Sequence, residues 1–484
     1  MTRMIIVKGG LGRVTKLQIL HTNDIHSRFE RMPAIATLIQ QLRERHQGPS
    51  LVIDLGDHID RSHVITEGTD GMANIAVMNA TGYDYFVPGN NEGLALSHPT
   101  MTKLFGDKAK FRTLGTNIFE LTTGKRPTWC SPYELISQDG IKIALFGLTA
   151  SLMRYYRLLG WDVVDPIAMM QVAMEDVRGH VDAVVVMSHL GIDIDRKLAT
   201  EVAGIDCIIG GHTHHLFEQA EWVGQTAICC AGKFGMYVGE VTLAFSEGQR
   251  CQIHARVIAT KDIPADEGIA EIIAQHDEIA ALKLNHPIAT LHQAIPHHYA
   301  EDSVLGNLLA QVVRTRTNAD FSLINNGQFL DSLEQGDLTR RMMLERCPSP
   351  VQICRMRLSG EQIRYTLEQS LLLEYQQYRF QGFGFRGDVL GGMSVDGLRI
   401  EYDSDAPDMH KIQRIWVRDE ILQDHQEYVV GTLDLFTFGV GYLKLREGSD
   451  MEFFLPSIIR DELTLALNEP ALIQAAFQRR WQKI

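Results

Sequence analysis

Five short stretches in the first half of the chain place imidazole, carboxylate and amide groups directly after apolar runs. Leu17-Gln18-Ile19-Leu20 is followed by HTNDIH, with Asp24 and His26, and Leu51-Val52-Ile53 by DLGDHID, with Asp57. Tyr85-Phe86 leads into VPGNNE, with Asn90 and Asn91. The run from Asp182 to Met187 leads into SHLG, with His189, and Cys207-Ile208-Ile209 into GGHTHH, with His212 and His214. Taken singly these are weak signals. A strand-end Asp commonly caps a helix, an Asn pair commonly makes a turn, and a lone His commonly packs. The His212/His214 pair is stronger, because residues i and i+2 share one side of an extended chain. Seven nitrogen and oxygen donors at strand ends, where open α/β sheets build their sites, predict a metal centre. Without thiolate the set suits Mn, Zn, Co or Fe. Seven donors exceed one tetrahedral site, so two divalent ions sharing a bridging carboxylate are expected. Ions ~3.5–4 Å apart clamp the attacking and leaving oxygens of a phosphoryl displacement.

These donors need strands that end together. Besides the apolar runs above, Lys142 to Leu148 reads as a buried strand. Ala34, Ile35, Leu38, Ile39 and Leu42 recur at helical spacing, as does the stretch from Ile194 to Val202. Strands alternating with helices predict an α/β domain. Near Ile263-Pro264-Ala265-Asp266-Glu267 the pattern changes to a polar, helix-favouring segment from Glu271 to Lys283, which suits a connecting helix. The second half has helix candidates over 303–316 and 359–375 and strand candidates over 397–402 and 427–430. The expected organisation is an extension over 1–15, a first domain over 16–260, a linker helix over 261–285 and a second domain over 286–484.

At 484 residues the chain exceeds what one core usually serves. A formal net charge of −14 argues against nucleic acid or an anionic membrane as a partner, while a bound metal still allows an anionic substrate. Seven scattered cysteines without a CxxC pair read as buried, reduced thiols. With only four apolar residues at the start (Met4 to Val7) and no run of membrane-span length, the reading is a cytoplasmic protein. Nothing bears on the oligomeric state.

In order and spacing, DIH, GDHID, GNNE, SHLG and GHTH resemble the calcineurin-like metallophosphoesterases, and more narrowly the bacterial 5'-nucleotidase family. EDSVLGNLLAQVV, NNGQFLDSLEQGDLT, LSGEQI and SVDGLRIEYD are similar to that family's C-terminal motifs. The resemblance implies a four-layer αββα first domain joined by a helix to a 5'-nucleotidase-type α/β domain. It also implies one ion on Asp24, His26, Asp57 and His214 and another on Asp57, Asn90, His189 and His212, with Asp57 bridging. The implied activity is hydrolysis of a small phosphate ester, a nucleotide by resemblance, through a metal-activated hydroxide.

The chain departs from that pattern in three places. Asn91 stands where the family has a histidine implied to stabilise the transferring phosphoryl group or its leaving group; Asn carries no proton or charge at neutral pH. The Asp that orients this histidine has no counterpart, since Gly93 and Leu94 follow Glu92. Asn91 thus reads as a modified leaving-group side or simply as a turn, with His58, His63, His98 and His215 as weak candidates to replace the imidazole. In Asn325-Asn326-Gly327-Gln328-Phe329-Leu330, Leu330 replaces a phosphate-gripping Arg. The nucleoside-contacting Asp is missing from Phe438-Gly439-Val440-Gly441-Tyr442. Asn325 and Gly327 remain candidates for substrate contact. Phe436 and Phe438 are candidates for stacking on a base or for core packing. Arg386, in the glycine-aromatic loop Gly382 to Gly387, is a candidate for phosphate contact. Two other functions stay open: a cyclic or diester phosphodiesterase, whose leaving group needs less proton help, and a metal- and nucleotide-binding sensor with weakened catalysis.

Overall fold

The computed structural model describes residues 15–46, 48–246, 249–380, 382 and 384–484. The N-terminal extension lies outside them apart from Thr15, as does Phe383. The chain divides into two compact units. One runs to Asp60 and resumes over Thr69–Asp277; the other combines Arg61–Gly68 with Glu278–Ile484.

The first unit is built on two sheets. The strands of these two sheets are β1 (Thr15–Thr22), β2 (Ser50–Asp54), β3 (Tyr85–Phe86), β4 (Arg112–Leu114), β5 (Cys130–Ser131), β6 (Tyr133–Gln138), β7 (Ile141–Thr149), β8 (Ala183–His189), β9 (Cys207–Gly210), β10 (Glu221–Val223), β11 (Thr226–Cys230), β12 (Tyr237–Phe245) and β13 (Gln252–Ala259). One sheet has the order β13-β12-β1-β2-β3-β4-β5, the other β10-β11-β9-β8-β7-β6. In both, the central pairs are parallel, so their strands finish at one edge. β8 shows why the sequence folds this way. Its AVVVMSH run is buried throughout, as a parallel strand covered on both faces must be. Ala183, Val185 and Met187 join Leu17, Ile19, Ile53, Val241 and Leu243 of the other sheet in one core. Val184 and Val186 point the opposite way, among the apolar residues of two helices, Pro166–Val177 and Ile192–Glu201. Outside the first sheet, the helix Met32–Arg45 buries Ile35, Leu38, Ile39 and Leu42 and packs by β12. The helix Glu267–Leu284 carries the chain across the division between Asp277 and Glu278.

The second unit centres on a five-stranded mixed sheet, in spatial order Met393–Asp396, Phe321–Asn325, Glu427–Leu433, Gln352–Ser359 and Ser449–Ile458. The helix Val304–Thr317 packs on it. The chain is thus a two-domain α/β protein. Arg61–Gly68 belongs to this unit because Glu67 is gripped there: Arg61 donates to it at 2.8 and 2.9 Å and the buried Arg460 lies 3.4 Å away. The single helix expected over 359–375 is broken. It runs Gly360–Ser370, turns extended at Leu372, and is followed by a short Leu373–Gln376 helix. The break is stabilised because Gln376 Nε2 donates to the Ser370 carbonyl (3.0 Å), one of the acceptors that a helix end leaves open.

Asp434 adds a pH dependence to this unit. Burial pushes its carboxyl up to about 7, although the Gln352 N–H donates to it at 3.1 Å. The folded form therefore binds the proton more tightly than the unfolded chain, and stability falls as pH rises from 3.8 through about 7. Asp434→Asn keeps an acceptor for Gln352. It is expected to match the parent below about pH 4, where the carboxyl is protonated in both the folded and unfolded chain, and to be about 1–3 kcal/mol more stable at pH 8, read from unfolding followed by tryptophan fluorescence.

Candidate metal centre

The aligned strand ends deliver the donors. Thr22 pairs with Asp54 and Asp54 with Phe86, so β1, β2 and β3 stop level; Ser188 pairs with Gly210 in the other sheet. Beyond the strands, the loops after β1 and β2 are laced together by Asp24 N to Gly56 O (3.0 Å), His26 N to Asp57 O (2.8 Å) and Ser27 N to His58 O (2.9 Å). Two groups of donors result, Asp24 with His26 and His214, and Asp57 with His189 and His212. Within each, one donor atom per residue lies within 4.8 Å of the others. Asp57 faces both groups, with Oδ1 3.4 Å from His189 Nε2 and Oδ2 3.8 Å from His26 Nε2. The Asn90 amide oxygen lies 3.3 Å from His189 Nε2. All seven donors expected from the sequence are therefore brought together.

Five of the seven sit at positive φ: Asp24 (52°), His26 (48°), Asp57 (51°), His212 (71°) and His214 (60°). Such left-handed backbone costs on the order of 1–2 kcal/mol per residue outside glycine and clusters at functional sites. Gly89 allows a close approach: a Cβ there would stand 2.2 Å from Asp57 Oδ1 and 2.8 Å from His189 Cε1.

Supporting residues aim the donors. The Leu55 carbonyl lies 2.6 Å from His189 Nδ1 and accepts its proton, which turns Nε2 toward Asp57. Asp60 Oδ2 does the same at His26 Nδ1 (3.2 Å). Asn23 Nδ2 and the His212 N–H donate to Asp24. Glu92, fully buried, accepts the backbone N–H groups of Asp57 (3.0 Å), Ile59 (2.8 Å) and Gly89 (2.7 Å), stapling the β2 and β3 loops. The sequence reading did not assign roles to Asn23, Asp60 or Glu92; their only signal was their place inside HTNDIH, GDHID and GNNE.

The electrostatics ask for cations. Burial opposes charging His189, yet the Asp57 and Asp24 carboxylates raise it to about 10. Burial, then the nearby His189, lowers His212 to about 4. Burial, then Asp57, pushes Glu92 up to about 7. Two buried carboxylates ringed by imidazoles aimed inward fit divalent ions by charge and donor type.

The other expected residues are placed differently. The Asn91 N–H donates to Asp57 Oδ1 (2.7 Å), and its side-chain amide lies 3.1 Å from His26 Nδ1. His58 is buried against Tyr83, His98 stacks on Trp161, His63 falls in the second unit, and His215 is exposed beside Thr213. In the second unit, Asn325 is buried and spends its amide on Leu390 O and Gln328. Gly327 packs so tightly that a Cβ would meet Val389 O at 1.8 Å. Phe436 is fully buried in the core, so base stacking fails for that ring, whereas Phe438 is half-buried. Arg386 donates to its neighbour's carbonyl, Phe385 O, at 3.1 Å.

Residues 17–216 match the family model of calcineurin-like phosphoesterases and residues 281–444 that of the 5'-nucleotidase C-terminal domain. A relative in Bacillus subtilis, the uncharacterized metallophosphoesterase YunD, is 34% identical over 93% of this chain and 99% of its own. The chain belongs to the calcineurin-like metallophosphoesterase and 5'-nucleotidase superfamily. A 5'-nucleotidase of Vibrio cholerae is 27% identical over 72% of this chain and 74% of its own. The structure of the Haemophilus influenzae NAD nucleotidase covers 98% of this chain and all of its own at a TM-score of 0.70 and 17% identity, a likeness of fold. Membership corrects one expectation. The Vibrio 5'-nucleotidases and the UshA proteins of Yersinia and Salmonella, which the chain also matches, are periplasmic or secreted, which argues against the cytoplasmic reading. The cysteines, read as reduced thiols favouring a reducing compartment, do not support that reading: six of the seven are buried, and a shielded thiol does not report its compartment. No helix among the described residues is long and apolar enough to cross a membrane.

Glu92→Gln leaves one acceptor oxygen for three backbone donors and should loosen both loops. Metal affinity, read by competition with a chelating dye, is expected to fall about 10–100-fold, as for other residues that orient ligands. Unchanged affinity would remove Glu92 from this role.

Proposed function

We propose that this metallophosphoesterase hydrolyses a phosphate ester of a nucleotide or a related small metabolite at a di-metal centre. The observation that carries the reading is the convergence of two donor groups on one carboxylate, Asp57, with the neutral amide of Asn90 beside it. The nucleotide part draws support from the match of residues 281–444 to the 5'-nucleotidase C-terminal domain. Asp24, His26, Asp57 and His214 would hold one ion, and Asp57, Asn90, His189 and His212 the other. Bound there, the ions supply Lewis acidity to water and to the phosphoryl oxygens.

The chain's own groups orient and hold charge. Asp57 divides its oxygens between the two donor groups. His26 and His189, with Nδ1 engaged, direct Nε2 inward. Asn91 offers an amide that can donate a hydrogen bond to a phosphoryl or leaving oxygen but no proton for transfer. Leaving groups that depart as stable anions are therefore favoured.

Phosphate release by Mn-loaded protein from nucleoside monophosphates, nucleotide sugars and cyclic nucleotides tests the reading, with a chelated control. Metal-dependent release is expected from at least one class. Bound metal with silence across the panel would sink it in favour of a sensor. Asp57→Ala is expected to lose metal retention and turnover together; a fully active variant would refute the bridging role. Asn91→His restores an imidazole, and general acid help of about 10²–10⁴-fold should appear for poor leaving groups below the imidazole pKa. An unaltered rate and pH profile would mean that Asn91 serves only the turn.

A further inference from the structure

Beside the first donor group lies a feature that coordination does not use. The Phe234 ring stands 5.7 Å from the His26 ring and 6.2 Å from the His214 ring. It is held there by its N–H, which donates to the Asp24 carbonyl at 2.8 Å, and by a left-handed backbone at φ 59°. For a bulky residue that backbone is an outlier, kept only where the surroundings impose it. Arg28, from the turn after His26, places its guanidinium carbon 4.8 Å from the Phe234 ring centre, and Lys233 its ammonium 4.7 Å. Among the described residues neither has an ion-pair partner, in a chain with 60 acidic and 46 basic residues.

Two cations gathered on one ring repel each other, and cation–π attraction at an exposed site is weak. Metal ions in the centre would add to that repulsion. An anion that both heads can contact relieves it. The location is also where a ligand arrives, since the His214 side chain is 29% exposed whereas that of His189 is fully buried. The charged heads lie over a ring that itself stands beside the rings of His26 and His214, which puts them at the edge of the first donor group, next to where a phosphoryl group on the ions would sit.

We propose that Arg28 and Lys233, mounted on Phe234, form an anion subsite that takes a second acidic group, phosphate or carboxylate, of the phosphate ester whose scissile phosphoryl lies on the metal centre. This rests on the phosphoesterase reading and narrows it to doubly anionic esters, such as those with a diphosphate or an acid group on the alcohol. Electrostatic attraction of this kind acts on capture, so it belongs in kcat/KM and falls with salt.

The test uses full-length, Mn-loaded protein and three probes: ethyl phosphate, phosphoglycolate and ethylene glycol bisphosphate. Both kcat/KM for phosphate release and Kd by calorimetry are measured for each. The parent is expected to prefer at least one doubly anionic probe over ethyl phosphate by about tenfold. Which probe is preferred identifies carboxylate or phosphate as the group bound. In the double variant Arg28→Gln/Lys233→Gln that ratio should collapse toward one, and in Arg28→Glu it should invert. Phe234→Leu, which removes the mount and leaves the charges, should give an intermediate ratio. Metal stoichiometry and circular dichroism confirm that each variant is folded. A parent that turns over ethyl phosphate with no preference for a second anion, or a double variant that keeps the preference, overturns the subsite and leaves the hydrolase standing. Preferential binding of a doubly anionic probe without turnover of any probe upholds the subsite, and silence across the nucleotide panel as well makes the phosphoesterase reading fail.

Discussion

The structure is organised around two carboxylates, Asp24 and Asp57, kept in the protein interior at the end of the first sheet. An isolated buried carboxylate is costly and normally protonates instead. Here the geometry holds both below the ordinary carboxylate range despite burial: hydrogen bonding to His214 and the charge of His189 at Asp24, and the charges of His189 and His26 at Asp57. Backbone N–H groups from Asn91 and His212 complete the arrangement. These compensating groups come from different strand ends in two sheets. Level termination of β1, β2, β3, β8 and β9 is thus an electrostatic requirement as much as a packing one.

The same requirement accounts for the strained backbone. A strand that continued straight past Thr22 or Gly210 would carry its donors away from the centre, so the chain bends back through left-handed residues. Asp, Asn and His tolerate that region better than most side chains. Residue types chosen as donors are therefore also those least penalised by the bend. One sequence signal, a polar cluster after an apolar run, encodes both turn and ligand.

That coincidence explains what was legible in the sequence. All seven donors could be read because each follows a buried strand closely, and strands of this kind are marked by unbroken apolar runs such as AVVVM. The groups that aim them were not legible. Glu92 acts on Asp57 and Ile59 across more than thirty residues, and Asp60 on His26 across a similar distance; hydrogen bonds between loops distant in sequence leave no local pattern. The helix expected over 359–375 failed for a related reason, because its apolar spacing continues through Leu371-Leu372-Leu373 while a side chain, Gln376, closes the carbonyl end. In the second unit, residue type did not distinguish a binding ring from a core ring, and only burial separates Phe436 from Phe438.

The donors of the metal centre and the groups at its rim are accordingly constrained to different degrees. His26, His189 and His214 compensate the charges of Asp24 and Asp57, and so a change at one of these leaves a buried carboxylate exposed to the cost of burial. Substrate-contacting positions lack this mutual dependence. At Leu330, at Asn91 and in the segment Phe438 to Tyr442, where the resemblance implies an arginine, a histidine and an aspartate, the loss of one interaction with a ligand leaves no buried charge without a partner. Arg28, exposed, and Lys233, half-buried, belong to this freer class: at the edge of the centre, they add charge without entering its internal balance. The coupling of buried charges thus holds the chemistry constant while the rim of the site changes which phosphate ester it accepts.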